Sequence, residues 1–333
     1  MKHHFKKLLA TAAFIGTALL ANPALADFPE RNIQSIYPWG PGATMSVSQI
    51  IADAMGEELG TNISVVSTPG AAGTKAFKTA MEKPADGYTI FDGYVAPLVL
   101  QPLLGNAEWT YKDFTPLWSA TSNAFAIVVR KDENRFTDFP SMVKYMKAHP
   151  GKLRYTTGGT GNLPHMVLAK VMQTSDIFGK PIPYPEMQDG VKDLRGGLLD
   201  FLTSNPGFFK TNKDHLKVIA VLSELDDAST VYDGAPRIMD FGIDLGMTGL
   251  SPMGWNWWLV RKDTPADIVE KLRKAMGAAL ARADVREKIL NVGFVPLGFA
   301  PEEYEAVVGP VAEELQSGID AIAWEKAKIA GMK

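Results

Sequence analysis

The sequence has 333 residues, no cysteine and a net charge of −3. A chain of that length can bury a core in each of two lobes. The acidic balance argues against a nucleic-acid partner, whose phosphates it would repel, and the missing thiol removes disulfides, cysteine nucleophiles and thiolate metal ligands.

In chain order, residues 1–26 read as a cleavable leader. Lys2, Lys6 and Lys7 precede the apolar run 8–20, and Ala24-Leu25-Ala26 is a small-x-small cleavage site. The run is shorter than the roughly 20 residues a membrane-spanning helix needs. The expected product is a periplasmic chain that starts at Asp27, with no Cys at the cleavage site to carry a lipid. Only His149, His165 and His215 then remain, without HxH or HExxH spacing, so no metal and no other cofactor is expected.

Ile33 to Tyr37 reads as a strand that runs into Pro38-Trp39-Gly40-Pro41-Gly42-Ala43-Thr44-Met45-Ser46. A helix follows, with Val47, Ile50, Ile51, Ala54, Met55 and Leu59 on one face. A strand at 63–66, the turn Pro69-Gly70-Ala71-Ala72-Gly73, a helix ending near Lys83 and a strand at 89–91 come next. Phe125 to Arg130 is an apolar strand, and Thr137 to Ala148 a helix stopped by Pro150-Gly151.

Leu153-Arg154-Tyr155 then looks like a strand end, and Leu163-Pro164 opens a helix with Met166, Leu168, Val171 and Met172 on its apolar face. Between them, Thr156-Thr157-Gly158-Gly159-Thr160-Gly161-Asn162 is small or hydroxylic throughout. Two readings stand at this point: a tight, well-capped turn, or a nest of backbone N–H groups backed by a helix dipole that holds a small anion. A dinucleotide fingerprint fails because Pro164 stands where its last glycine belongs, and no Gly-Lys-Ser/Thr is present for a Walker loop. His165 is expected to pack or cap there, not to catalyse.

Short strands at 181–184 and 201–203 flank a helix at 191–198, and 216–222 is a further strand. Trp257 to Val260 is apolar, Thr264-Pro265-Ala266-Asp267 caps a helix with Ile268, Leu272, Met276 and Leu280 inward, and 294–297 is a last strand. From Pro301 the chain is helical. Strands alternating with helices imply α/β, with mainly parallel sheets covered on both faces.

The order of short motifs resembles the extracytoplasmic solute receptors of tripartite tricarboxylate transporters over nearly the whole exported chain. The matching marks are Tyr37-Pro38-Trp39 with Gly42, Pro69-Gly70-Ala71 with Gly73, Asp86-Gly87-Tyr88-Thr89 and Asp113-Phe114-Thr115-Pro116. Pro150-Gly151-Lys152-Leu153, Gly159, Gly161, His165 and Pro183-Tyr184 continue the series, with Leu194, Gly196-Gly197, Asp200, Trp255 and Thr264-Pro265 completing it.

The resemblance implies a type II periplasmic-binding-protein fold: two α/β lobes joined by two crossing segments, with a ligand cleft between. One lobe would hold residues 27–123 and 254–333, the other 124–253, with crossings near 122–126 and 252–257. Two loops of opposite lobes would grip a ligand carboxylate. The residues so implied are Trp39, Gly42, Ala43, Thr44, Ser46 and Tyr94 on one side, and Thr157, Gly159, Thr160, Gly161, Asn162 and Ser204 on the other, with Trp255 as a cover. Tyr184 is expected to be structural.

Departures from the family pattern are Ala43 for a glycine, Ser46 for an acid, Ser67 for Asn, Trp257 for glycine, and Pro185-Glu186-Met187 where a basic residue and glycines are usual. Ser46 favours a dicarboxylate or an aromatic carboxylate over an amino acid, and Glu186 is expected outside the pocket.

The expected function is therefore a monomeric receptor, not an enzyme. It would pass a small organic acid to integral membrane transporter subunits, one large and one small. A sensory role beside a membrane histidine kinase is the alternative. A periplasmic α/β hydrolase is weaker, since there is no GxSxG elbow.

Overall fold

The computed structural model describes residues 28–184 and 187–332. The leader, its cleavage site and Glu186 lie outside the described residues.

The strands are β1 (Ile33–Tyr37), β2 (Ile63–Ser67), β3 (Thr89–Tyr94), β4 (Phe114–Ser122), β5 (Ala126–Arg130), β6 (Arg154–Thr156), β7 (Lys180–Pro181), β8 (Phe201–Ser204), β9 (Leu216–Val221), β10 (Trp255–Arg261) and β11 (Val295–Pro296). They form two sheets, in the orders β11-β4-β10-β3-β1-β2 and β7-β6-β8-β5-β9.

Both sheets are mixed, which corrects the expectation of mainly parallel ones. β1 runs parallel to β2 and β3, and β6 parallel to β7 and β8. β10 is antiparallel to β3 and β4, and β5 to β8 and β9. The reversal arises where the chain changes sheet: β4 leads straight into β5, and β10 returns from the second sheet to pair with β4. β4 itself is hard to see in the sequence because Pro116 cannot donate to a ladder. The register shifts between Trp258 and Leu259, opposite Trp118 and Pro116, and that irregularity accommodates it.

Residues alternate along β10, so Trp257 enters one apolar cluster and Trp258 the other. Both are fully buried, with no partner for either indole N–H. On the Trp258 side the helices Ala43–Leu59 and Ala266–Ala281 cover the first sheet, with Ile51, Met55, Leu272 and Met276 inward. Each such side chain contributes about 1.5–3 kcal/mol by leaving water. The expected cap at Thr264 is not made. Its hydroxyl is buried without a partner, and helix Ala266–Ala281 starts from Pro265.

The C-terminal helix Val311–Ala330 packs on helix Leu163–Thr174, beside the second sheet. Gly318 permits the approach, since a Cβ there would lie 2.7 Å from the Met166 Cβ. Among the described residues no helix is long and apolar enough to cross a membrane.

Candidate ligand site

At the end of β1 the chain passes through Pro38–Gly42 into helix Ala43–Leu59. The first acceptor–donor pair of that helix is Gly42 C=O with Ser46 N–H, at 3.1 Å. The N–H groups of Ala43, Thr44 and Met45 therefore have no intrahelical acceptor. No side chain caps them and no acidic residue lies in the first turn. Gly42, Ala43 and Ser46 are exposed, and the Ser46 hydroxyl reaches only the Gly42 carbonyl, at 3.3 Å. With the dipole behind it, this turn is a donor set suited to an anion.

Trp39 stands half-buried beside that turn, its ring centroid 6.0 Å from that of Tyr94. Ser67 at the end of β2 fixes the Trp39 carbonyl with a 2.7 Å hydrogen bond. Below lies a polar cluster that the sequence did not reveal. The Asp92 carboxylate is fully buried, accepting from the Ser48 hydroxyl at 2.5 Å and the Asn256 amide at 2.6 Å. Burial pushes its pKa up to about 6, although those two bonds pull the other way. Burial, and then the Asp92 charge, push Tyr94 far above the ordinary tyrosine value. The Tyr94 hydroxyl is buried without a hydrogen-bond partner.

In the second sheet, β6 ends at Thr156 and the glycine-rich turn follows. Gly158 and Gly161 have φ of 82° and 78°, so these two, and not Gly159, use the left-handed freedom of glycine. Asn162 caps helix Leu163–Thr174: its Oδ1 accepts from His165 N–H at 2.9 Å and its Nδ2 donates to the Thr157 carbonyl at 2.8 Å. The Gly161 N–H donates to His165 Nδ1 at 3.0 Å. The capped-turn reading is thus realised at Asn162 and Gly161. Among the described residues the N–H groups of Gly159 and Thr160 and the hydroxyl of Thr157 bond to no protein atom, which leaves them for the anion reading.

Two expected contacts are occupied inside the fold. Trp255 is fully buried and its indole N–H donates to the Gly249 carbonyl at 2.9 Å, so in this conformation it packs instead of covering a cleft. Ser204 is fully buried, its hydroxyl on the Asn205 carbonyl at 3.0 Å. His165 is buried, as expected of a packing residue.

Ala43 lies against Gly207, in the first turn of helix Pro206–Asn212, which follows β8 of the second sheet. Because β6 and β8 are parallel neighbours, the 157–162 turn and the 205–207 segment leave the same sheet edge. The two turns therefore lie at the same edge of the second sheet, one by chain connection and the other through Ala43 and Gly207. Two other concavities lie elsewhere. One, of about 600 Å³, is lined by Asn32, Asp53, Gly56 and Asn62 at the far end of helix Ala43–Leu59. The other, of about 190 Å³, lies by Arg130, Arg195 and His215.

Comparison with known proteins gives a consistent result. The family model described as "Tripartite tricarboxylate transporter family receptor" matches residues 47–316. Protein BugT of Bordetella pertussis is 25% identical over 331 residues, covering 97% of this chain and 98% of that protein. A structure of an R. palustris protein with adipate is 20% identical with a TM-score of 0.73, covering 89% of this chain and 98% of that one. MatC from Rhodopseudomonas palustris, with bound malate, is 21% identical with a TM-score of 0.65, covering 90% of this chain and all (100%) of that one.

Proposed function

The chain belongs to the tripartite tricarboxylate transporter receptor family, and from that premise we propose that it captures an organic carboxylate in the periplasm and hands it to a large and a small membrane subunit. The family's members are periplasmic solute-binding proteins that work with membrane transporter components, not enzymes. The two-lobe fold is that of periplasmic binding proteins.

One observation carries the ligand class. The first turn of helix Ala43–Leu59 offers free N–H groups and carries no acidic residue of its own, and Ser46 there neither attracts an ammonium nor repels a second carboxylate. A dicarboxylate or an aromatic carboxylate fits that turn better than an amino acid does. Each N–H to carboxylate bond contributes about 1.5–3 kcal/mol, so four or five account for micromolar binding. The adipate and malate bound to relatives of the same fold support this reading.

The lobes are residues 27–123 with 254–333, and 124–253, with the C-terminal helix reaching back onto the second. Residues 1–26 act as a cleaved leader, and the receptor acts as a monomer. A thermal-shift panel of amino acids, aliphatic dicarboxylates, citrate and benzoate-type acids tests the ligand class. Dicarboxylates or aromatic carboxylates are expected to raise the Tm. Stabilisation by amino acids alone overturns the reading of Ser46.

A further inference from the structure

We propose that Glu325, acting through His165, sets which backbone donors the glycine-rich turn presents, so that the C-terminal helix is part of the ligand-binding apparatus. The proposal rests on the reading of residues 157–162 as a ligand loop.

The chain of contacts is continuous and buried. The Glu325 side chain is fully buried on helix Val311–Ala330, and accepts from the Tyr155 hydroxyl at 2.9 Å and 2.8 Å on its two oxygens. His165 Nε2 lies 3.3 Å from Glu325 Oε2, with the ring 1% exposed. The other ring nitrogen, Nδ1, accepts the Gly161 N–H at 3.0 Å. Nε2 faces a carboxylate oxygen, an acceptor, and Nδ1 faces the Gly161 N–H, a donor, and that pair of partners fits the imidazole tautomer whose proton sits on Nε2. That tautomer leaves Nδ1 with the lone pair that Gly161 needs. The opposite tautomer would set two N–H groups against each other.

The consequence for the turn is specific. Parking the Gly161 N–H on His165 withdraws it from the ligand and holds Gly161 at its left-handed φ of 78°. Among the described residues nothing accepts from the Gly159 and Thr160 N–H groups. Glu325 and His165 are positioning residues, since neither reaches the turn's free donors itself. The same buried stripe of the helix carries Glu314, which accepts from the N–H groups of Gly249 and Leu250 at 2.8 Å and 2.9 Å, just before the second crossing. The helix thus holds both the ligand turn and the segment that returns the chain to the first sheet.

The test uses the exported chain from Asp27, 15N-labelled, with His165→Asn, His165→Gln and Glu325→Gln. An Asn oxygen falls near the place of Nδ1 and a Gln oxygen near that of Nε2, so only His165→Asn can keep the Gly161 acceptor. Wild type is expected to show His165 as the Nε2–H tautomer and a slowly exchanging Gly161 amide. His165→Gln is expected to speed Gly161 exchange and, by loosening the turn that carries the Gly159 and Thr160 donors, to weaken the best carboxylate of the thermal-shift panel about tenfold. His165→Asn is expected to restore both, and Glu325→Gln to populate the Nδ1–H tautomer. A wild-type Nδ1–H ring or imidazolium overturns the proposal, as do equal Gly161 exchange rates in the Asn and Gln variants. The tautomer and exchange readouts need no ligand. If no acid binds to wild type, the ligand role of the helix falls with the ligand reading, while the tautomer and exchange results still decide whether Glu325 and His165 set the Gly161 donor.

Discussion

A Cβ on Gly207 would lie 3.0 Å from the Cβ of Ala43, so the first turns of two helices from different sheets touch with no room for a side chain. A side chain at position 207 is accommodated only if the Ala43 turn gives way. Gly207→Leu is expected to hold the halves apart. Small-angle scattering should then show a radius of gyration that does not fall when a stabilising carboxylate is added, whereas that of wild type should fall as hinged lobes close. Equal radii in wild type and variant at saturation would count against closure at this contact.

Asp92 makes a prediction with an uncommon sign. Its folded pKa of about 6 lies above the unfolded value, so the folded state holds the proton more tightly. Its contribution is therefore best below about pH 4 and is lost as pH rises toward 6. The difference amounts to about 3 kcal/mol for a shift of about two units. Asp92→Asn keeps a carbonyl acceptor for Asn256 and removes the charge. The stability advantage of Asp92→Asn over wild type should grow by about that amount between about pH 3 and 7. A pH-independent difference in denaturant unfolding would contradict the buried, ionisable cluster.

The glycine-rich turn separates strain from space. A Cβ on Gly159 or on Gly161 would meet nothing within 4 Å, yet only Gly161 has a positive φ. Gly161→Ala is expected to cost about 1–2 kcal/mol of stability through the backbone alone, and Gly159→Ala less than about 0.5 kcal/mol. Thermal unfolding of both variants checks this. Equal losses would mean that the turn adopts another backbone.

The sequence displayed the local rules well. Glycine and proline marked the helix starts after Gly42 and Asn162, and apolar periodicity marked the strands that those helices follow. What it hid were choices made by distant partners. Period-two alternation says that Trp255 and Trp257 share a face, but not whether that face is core or cleft. Asn162 looked like a ligand contact because a cap and a ligand donor use the same residue type. Asp92 stands within an otherwise apolar strand and is made tolerable by Ser48 and by Asn256, the latter 164 residues away. Glu325 meets His165 across 160 residues, a pairing that no local pattern encodes.

The central claim, a carboxylate held by helix-start N–H groups, is tested most directly by following backbone amides while the best acid of the panel is titrated in. The Ala43, Thr44 and Met45 amides, together with those of Gly159 and Thr160, are expected to shift in one saturable step. Shifts confined to the groove by Asn32, Asp53 and Gly56, with those amides unmoved, would contradict the account.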